Sequence, residues 1–370
     1  MKNYPDVELV EICDIYQPKT ITSKEITLNG LYPVFGANGQ IGFYDKFNHE
    51  ESEVLITCRG ATTGTVNFSK PKSWITGNSM VIKPISNRIC KPFLFYFLKY
   101  NNLSKLVSGS AQPQITRSVL VSFKIPIVPL SEQQRIVSIL EEIDNLRQKQ
   151  RKAIELTKQT TPTLFYEMFG DLESNEKGFD RIKVQNVTTI NPKNQANFKD
   201  SDEITFVPMS AINAENASIH APEVKLIAKT RRKGFSYFEE GDILFAKITP
   251  CMQNKKSAIA KRLINGIGYG STEFHVLRPS SSILGEYLLQ ILRLPKFIEI
   301  AKKHFTGTAG QQRVSKDFIA NFIIPLPPIE LQKRFTVKAK ESLSLLEHQE
   351  QSLQKLDTLF ESTLNQFFST

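Results

Sequence analysis

The chain has 370 residues, of which 40% are apolar, and it carries a formal net charge of +10 with a pI near 9.2. This length exceeds one ordinary hydrophobic core, and the apolar content suffices for two. Four isolated cysteines without a CxxC spacing indicate neither a disulfide framework nor a zinc site: Cys13, Cys58, Cys90 and Cys251. No run of about 18 apolar residues could span a bilayer. We therefore expect a cytoplasmic, two-domain protein that does not contact a membrane.

The positive charge favours a polyanionic partner. Lysine and arginine neutralise phosphates and release the counterions bound to them, which drives association with nucleic acid. Composition alone does not distinguish a nucleic-acid binder from other basic proteins. The charge is therefore a weak indication that needs support from motifs.

In chain order, the sequence predicts a globular region, a long helix, a second globular region and a second long helix. Short strand-like runs separated by Gly, Asn and Pro fill residues 1–128 and 170–327, for example "EVLITCRGATTGTVNF" and "GDILFAKITPCMQNKKSAIA". Apolar residues at helical spacing predict helices over residues 129–169 and 328–370. Pro162 is expected to kink or break the end of the first helix.

An internal repeat relates the two halves. "IPIVPLSEQQR" at residues 125–135 recurs as "IPLPPIELQKR" at 324–334, an offset of 199 that holds without a gap over roughly sixty positions. "ICDIYQPK" and "NVTTINPK" correspond at an offset of 174, so the second region is expected to be about 25 residues longer. The predicted fold is α/β (α+β), with two globular regions related by the repeat and two long helices packed as an antiparallel coiled coil. Gln150 and Gln349 could fix the register of that pair or be solvated beside it.

Several long stretches carry a resemblance to a known family. They are "YPVFGANG", "VLITCRGATTG", "FVPMSAIN", "GDILFAKITPCMQNKKSAI", "GSTEFHVLRP" and the two repeated Pro-rich segments. The whole chain resembles the specificity (S) subunit of type I restriction–modification systems. This resemblance implies that residues 1–128 and 170–327 are target recognition domains, each reading half of a bipartite double-stranded DNA site. It also implies that residues 129–169 and 328–370 are spacer helices.

The resemblance also implies partners and cofactors. The partners are methyltransferase (M) subunits, expected to number two, and restriction/translocase (R) subunits. The chain itself would then be a non-catalytic recognition subunit without a cofactor or metal, whereas S-adenosylmethionine, ATP and Mg²⁺ would bind to the partner subunits. Adenine methylation would be the partner's reaction.

Catalytic motifs are missing from the sequence. "LPPI" at Leu326 lacks the first and last groups of an Asn-Pro-Pro-aromatic motif, and "FGANG" at Phe35 has the wrong glycine spacing for a cofactor loop. A GxxxxGK[ST] phosphate loop is absent. Glu223 and Lys225 have the E-x-K spacing of some nucleases, but we interpret them as surface charges. The alternatives are a single-chain DNA methyltransferase or nuclease, and a coiled-coil adaptor that does not bind DNA.

DNA contacts are therefore expected from polar loop residues. In "CRGATTG", Arg59 suits guanine, and the hydroxyls of Thr62 and Thr63 suit phosphates or base edges, although a tight hairpin with solvated side chains is equally compatible. At the corresponding place, "KITPCMQNKK" offers Lys247, Thr249, Gln253, Asn254, Lys255 and Lys256. The repeated segments offer Gln112, Gln114, Thr116 and Arg117 in the first copy, and Gln311, Arg313, Ser315 and Lys316 in the second.

The recurrence of these last segments favours a shared role in phosphate positioning or loop structure over base readout, because the two half-sites should differ. Gln133, Arg135 and their copies are expected to serve helix packing or partner docking.

Overall fold

The computed structural model describes residues 4–37, 39–109, 112–194, 198–230, 234–308 and 311–369. The chain divides into two compact units. The first comprises Met1–Arg151 and Ser352–Thr370, and the second comprises Lys152–Gln351. Each unit therefore combines one globular region with parts of both long helices.

The first globular region is built from short strands and helices that precede the first long helix. Its strands are β1 (Asp6–Glu8), β2 (Cys13–Tyr16), β3 (Tyr32–Gly36), β4 (Gly39–Tyr44), β5 (Val54–Thr57), β6 (Val66–Phe68), β7 (Trp74–Ile75), β8 (Ser79–Pro84) and β9 (Lys124–Pro126). The helices are α1 (Leu9–Ile12), α2 (Lys91–Tyr100), α3 (Arg117–Val121) and the long α4 (Leu130–Phe169).

Two sheets organise this region. One is antiparallel with the order β2-β8-β5-β6, and the other has the order β4-β3-β7 with β3 and β7 parallel. Strand β5 is buried along its whole length because it is an inner strand of the first sheet, and this explains its unbroken run "VLIT". Strands β1 and β9 form a separate pair, which joins the beginning of the region to the segment before α4.

The second globular region has the same plan with additions. Its strands are β10 (Arg181–Lys183), β11 (Thr188–Ile190), β12 (Glu203–Val207), β13 (Ile212–Asn213), β14 (Ser218–Ile219), β15 (Glu223–Leu226), β16 (Ser236–Glu239), β17 (Ile243–Ala246), β18 (Ser257–Ile259), β19 (Ile267–Gly270), β20 (Phe274–Pro279), β21 (Phe305–Thr306), β22 (Arg313–Val314) and β23 (Ile323–Pro325). The helices are α5 (Val184–Val187), α6 (Gly285–Arg293), α7 (Pro295–Lys302), α8 (Lys316–Asn321) and the long α9 (Ile329–Phe368).

The sheets β11-β20-β17-β18 and β15-β12-β19-β16 repeat the two sheets of the first region, and strand β16 and the β13–β14 hairpin are added. Leu9 donates its N–H to the carbonyl of Phe123, and Val184 donates to that of Phe322. Because Phe123 and Phe322 are 199 residues apart, these bonds make Leu9 equivalent to Val184, an offset of 175. The expected offset of 174 is thus wrong by one residue, since strand pairing and not residue similarity sets the register.

The two long helices each contain 40 residues. Helix α4 continues through Pro162 to Phe169, so the expected break does not occur. Phe165 and Phe169 follow the proline and are fully buried in the second unit. Their burial offsets the missing hydrogen bond of Pro162, because each buried aromatic side chain contributes roughly 1.5–3 kcal/mol.

Contacts between the long helices run antiparallel within each unit. In the first unit, Nε of Arg147 donates to Oδ1 of Asp357 at 2.6 Å, and the Arg147 guanidinium lies 4.3 Å from the ring centroid of Phe360. In the second, the rings of Phe169 and Phe335 are 5.3 Å apart. The middle of α4 thus meets the later part of α9 in the first unit, and the end of α4 meets the beginning of α9 in the second. Gln150 and Gln349, whose role the sequence left open, are both partly buried.

The end of each long helix completes a globular core. Phe368, at the end of α9, contacts the rings of Phe93 and Phe97 on α2 at 5.6 and 5.7 Å. Phe169, at the end of α4, contacts Tyr287 on α6 at 5.0 Å. Neither globular region therefore has a complete core without the end of a long helix. Within the ranges that the structure describes, no helix is long and apolar enough to cross a membrane.

Candidate nucleic-acid interface

The structure brings together two loop segments that the sequence singled out in each unit. In the first unit, the carbonyl of Cys58 accepts a hydrogen bond from the N–H of Ile115 at 3.1 Å. In the second, the carbonyl of Lys247 accepts from Val314 at 2.9 Å. Ile115 and Val314 are 199 residues apart, so the loop after β5 and the loop after β17 occupy equivalent positions. Arg59 also forms an isolated β-bridge with Gln114.

The threonines of the first loop form hydrogen bonds within the protein. The hydroxyl of Thr62 donates to the carbonyl of Ala37 at 3.0 Å, and that of Thr63 shares its proton between the carbonyls of Gly60 at 2.6 Å and Pro113 at 3.0 Å. Gly60 has a φ of +97°, which favours glycine at this turn. Arg59 is exposed, and its guanidinium has no hydrogen-bond or ion-pair partner within the described part of the chain. Of the three predicted residues in this loop, Arg59 is therefore the one whose side chain is available to a ligand.

The second predicted segment of this unit is residues 112–117. Some of its side chains are exposed, and others form hydrogen bonds within the protein. Gln112 and Gln114 are exposed. The hydroxyls of Thr116 and Ser118 lie 2.8 Å apart, and Nε of Arg117 donates to the carbonyl of Ile15 at 2.7 Å. Arg117 thus ties the beginning of α3 to strand β2, in addition to any role toward a ligand.

The equivalent segment of the second unit contains an ion pair. Arg313 holds Glu273 with two hydrogen bonds, from Nε at 3.0 Å and from Nη2 at 2.8 Å. These bonds lower the pKa of the Glu273 carboxyl below its usual value. Ser315 accepts a hydrogen bond from the N–H of Phe318 at 3.1 Å and caps α8. Lys316 is exposed, and so is Gln311.

The predicted residues of the "KITPCMQNKK" loop separate into two places. Gln253, Asn254, Lys255 and Lys256 line a cleft of about 580 Å³ beside residues of the long helices, including Thr157 and Ser342. Nζ of Lys256 donates to the carbonyl of Met209 at 3.0 Å, and burial lowers the pKa of Lys255. Thr249 is partly exposed, and its N–H donates to the carbonyl of Gln312 at 2.9 Å.

Lys247 instead lines a different, polar cleft of about 670 Å³ in the second unit. This cleft, which we call the inter-sheet cleft, is lined by Asn191, Pro192, Lys193, Asn194, Gly234, Phe235, Ser236, Tyr237, Lys247, Tyr269, Thr272, Phe274 and Val276. Its walls belong to the sheet containing β20 and the sheet containing β16 and β19. Lys193 was not among the residues that the sequence predicted to contact DNA.

A buried histidine supports one wall of the inter-sheet cleft. Nε2 of His275 is 2.9 Å from the carbonyl of Val314, and Nδ1 is 3.4 Å from Nδ2 of Asn191. Burial lowers the pKa of His275, which favours a neutral ring at neutral pH. His275 therefore links the repeated segment to the chain after β11 without adding charge.

The repeated glutamines connect the long helices to the globular regions. Gln133 and Gln332 are completely buried. Oε1 of Gln133 accepts from the N–H of Cys90, and Oε1 of Gln332 accepts from the N–H of Leu284. Both acceptor bonds reach the residue before a helix, α2 or α6. Of the two expected roles, the structure favours helix packing for these glutamines.

Glu223 and Lys225, which have the spacing of some nuclease motifs, form an ion pair. Nζ of Lys225 lies 2.8 Å from a carboxylate oxygen of Glu223 and 3.4 Å from the ring centroid of Phe206. This pair is a charge contact on strand β15, as interpreted from the sequence. Among the described residues, no group of three or more His, Cys, Asp or Glu side chains is arranged to hold a metal ion.

Comparisons with known proteins match these observations. The family model described as "Type I restriction modification DNA specificity domain" matches residues 1–156 and 176–365. The chain is 40% identical over 182 residues to the type I restriction enzyme EcoAI specificity subunit of Escherichia coli, a match covering 49% of this chain and 31% of that protein. It is 24% identical over 328 residues to a putative type I specificity subunit of Haemophilus influenzae, covering 84% and 79% of the two chains.

Solved structures show the same fold. The type I restriction–modification S subunit from M. genitalium matches with a TM-score of 0.66 and 15% identity, covering 100% of this chain and 96% of that one. A chain from a study of type I restriction–modification complex assembly matches with a TM-score of 0.56 and 18% identity, covering 99% and 97%. The EcoAI alignment spans only about a third of that relative's length. The two family-model matches cover most of the sequence, and the chain belongs to the type I restriction modification DNA specificity domain family.

Proposed function

We propose that this chain is the DNA sequence-specificity subunit of a type I restriction–modification complex. It reads a bipartite double-stranded DNA site and presents that site to methyltransferase and restriction subunits. Family membership supports this role, and so does a positive net charge of +10. The chain acts in the cytoplasm because its proposed substrate is genomic DNA.

One observation carries the proposal: equivalent backbone frames present different side chains. The hydrogen bonds of Cys58 with Ile115 and of Lys247 with Val314 make the two loops equivalent. Arg59 follows Cys58 in the first loop, whereas Ile248 follows Lys247 in the second. A common frame with different side chains suits a protein that reads two different half-sites, because base identity is read by side chains in the grooves.

The long helices separate the two half-sites and dock the partner subunits. Their length and the buried Gln133 and Gln332 support a spacer that is attached firmly to each globular region. Two methyltransferase subunits would use the two related surfaces of the repeat. These subunits would bind S-adenosylmethionine for adenine methylation, and the restriction subunits would bind ATP and Mg²⁺. This chain would hold no cofactor.

The test is a map of methylated adenines in cells with and without this chain. Cells that carry the chain and its methyltransferase partner should show a motif with two specific parts separated by a nonspecific gap. Deleting the gene for this chain should abolish methylation of that motif, and a plasmid copy should restore it. An unchanged methylation map after deletion would contradict the proposal.

A further inference from the structure

We infer that the inter-sheet cleft of the second unit binds backbone phosphates of duplex DNA, with Lys193 and Lys247 as the contacting groups. This inference rests on the proposed function and identifies part of the surface that performs it. The sequence predicted DNA contacts along the whole segment from Lys247 to Lys256. In the structure, Lys247 lines the inter-sheet cleft, whereas residues 253–256 line a different cleft.

The charge of the inter-sheet cleft is the first argument. Its described lining contains two lysines and no Asp or Glu. The other cleft, beside the long helices, contains Glu215, which pairs with Lys158 at 3.3 Å. An anion entering the inter-sheet cleft meets positive side chains without a lining carboxylate, so the local field favours phosphate there.

Glu273, the acidic residue beside Lys247, is neutralised by Arg313. The N–H of Lys247 donates to the carbonyl of Glu273, which places the two residues side by side. Arg313 occupies both carboxylate oxygens of Glu273. Within the described ranges, Lys247 has no ion pair, and neither has the exposed Lys193. By pairing with Glu273, Arg313 thus leaves the Lys247 ammonium for an external ligand.

Other polar groups of the cleft are held in place by internal hydrogen bonds. The hydroxyl of Tyr269 accepts from Nδ2 of Asn194 at 3.2 Å, and that of Tyr237 donates to Glu239 at 2.7 Å. The hydroxyl of Ser236 donates to the carbonyl of Phe274 at 3.2 Å. These bonds fix the walls before a ligand arrives, which reduces the ordering cost of binding. They also leave the lysines as the main donors, and lysine contacts phosphate as a point charge without reading a base.

The experiment uses the complex of this chain with its methyltransferase subunits and two labelled duplexes. One duplex contains the mapped site, and the other has the same composition in scrambled order. Binding is measured by fluorescence anisotropy from 50 to 200 mM salt. For K193Q/K247Q we expect both Kd values to rise by a similar factor, roughly 10- to 50-fold near 100 mM salt, and the salt slope to fall by about 2.

Matched variants separate phosphate contact from other effects. K261Q/K303Q removes the same charge from two lysines that pair with Glu286 and Glu299, and it should leave the salt slope unchanged. K193R/K247R should retain wild-type binding because both charges remain. The melting temperature of each complex shows whether a variant has lost structure. If K193Q/K247Q unfolds, the single variants K193Q and K247Q replace it, and each should lower the salt slope by about 1.

Several outcomes would overturn the inference while the proposed function stands. One is unchanged binding by K193Q/K247Q, and another is an altered preference at one base pair. A third is displacement of the duplex by inorganic phosphate as effectively as by unlabelled DNA at equal ionic strength, which would indicate a site for free phosphate. If the wild-type complex binds both duplexes equally, the proposed function itself fails.

Discussion

Gln133 and Gln332 make the same three hydrogen bonds in their separate units. Nε2 of Gln133 donates to the carbonyls of Arg88 and Val128, each at 2.7 Å, and Oε1 accepts from the N–H of Cys90 at 2.9 Å. Gln332 bonds in the same way to Ser282, Pro327 and Leu284. This pair shows that the repeat preserves an attachment between each long helix and its globular region.

Replacing Gln133 by alanine should destabilise the first unit. The substitution leaves a buried N–H and two carbonyls without their partner, and each buried unsatisfied group costs about 1–3 kcal/mol. With partial compensation by water, we expect a loss of roughly 2–4 kcal/mol in the free energy of unfolding. Urea denaturation followed by circular dichroism measures it. Gln134→Ala, at the exposed neighbouring position, is the control and should stay within about 0.5 kcal/mol of wild type.

Lengthening the spacer should lengthen the nonspecific gap. Four residues inserted after Arg151 in α4, with four more after Gln351 in α9, add a little over one turn, or about 6 Å, to each helix. We expect the mapped methylation motif to keep both specific parts with a wider gap. The same four residues inserted after Gly178, in an exposed turn, should leave the gap unchanged. Unchanged spacing in the helix variant would refute the ruler role.

Replacing residues 1–128 with the same region of another family member should change one half-site only. The structure adds a condition, because Phe368 packs on Phe93 and Phe97 of the replaced region. We therefore expect the exchange to succeed when the donor keeps large apolar residues at these two positions. Methylation mapping gives the result, and a change in both half-sites would argue against independent domains.

Arg59 should read a base, whereas Lys316 should contact phosphate. Arg59→Ala is expected to cost roughly 1–3 kcal/mol on the cognate duplex and to relax preference at one position. Lys316→Ala should weaken cognate and scrambled DNA alike and reduce the salt slope by about 1. Arg117, the repeat equivalent of Lys316, is a less clean test because it also donates to the carbonyl of Ile15. Equal weakening of both duplexes by Arg59→Ala would reverse this division of roles.

The Glu273–Arg313 pair should make stability depend on pH. Because the folded state lowers the pKa of Glu273, the pair stabilises the protein above the ordinary value near 4.5, and this contribution is lost as the pH falls through the lowered pKa. The melting temperature of wild type should exceed that of Glu273→Gln at pH 7, and the difference should shrink toward pH 3. Glu341→Gln, at an exposed position, should show no such difference. A difference in melting temperature between wild type and Glu273→Gln that stays constant with pH would contradict this assignment.

The sequence by itself determined the repeat, the two long helices and the family resemblance. Periodic apolar residues and an offset of 199 are local or one-dimensional signals, so they survive without tertiary information. Pro162 shows the limit of such signals. Its local preference to interrupt a helix is outweighed by the buried Phe165 and Phe169, whose contacts come from distant parts of the second unit.

Only the tertiary structure decided which predicted polar residues are available to a ligand. Thr63 is engaged by Pro113, 50 residues away, and Arg313 is engaged by Glu273, 40 residues away. Lys247 and Lys256 are nine residues apart, yet they line different clefts. Residue type and spacing identify the chemical groups that a loop carries. The hydrogen-bond and ion-pair partners of those groups, however, lie in distant segments that folding brings next to the loop. For this reason the sequence identified the loops, and the structure distinguished Arg59 and Lys247 within them.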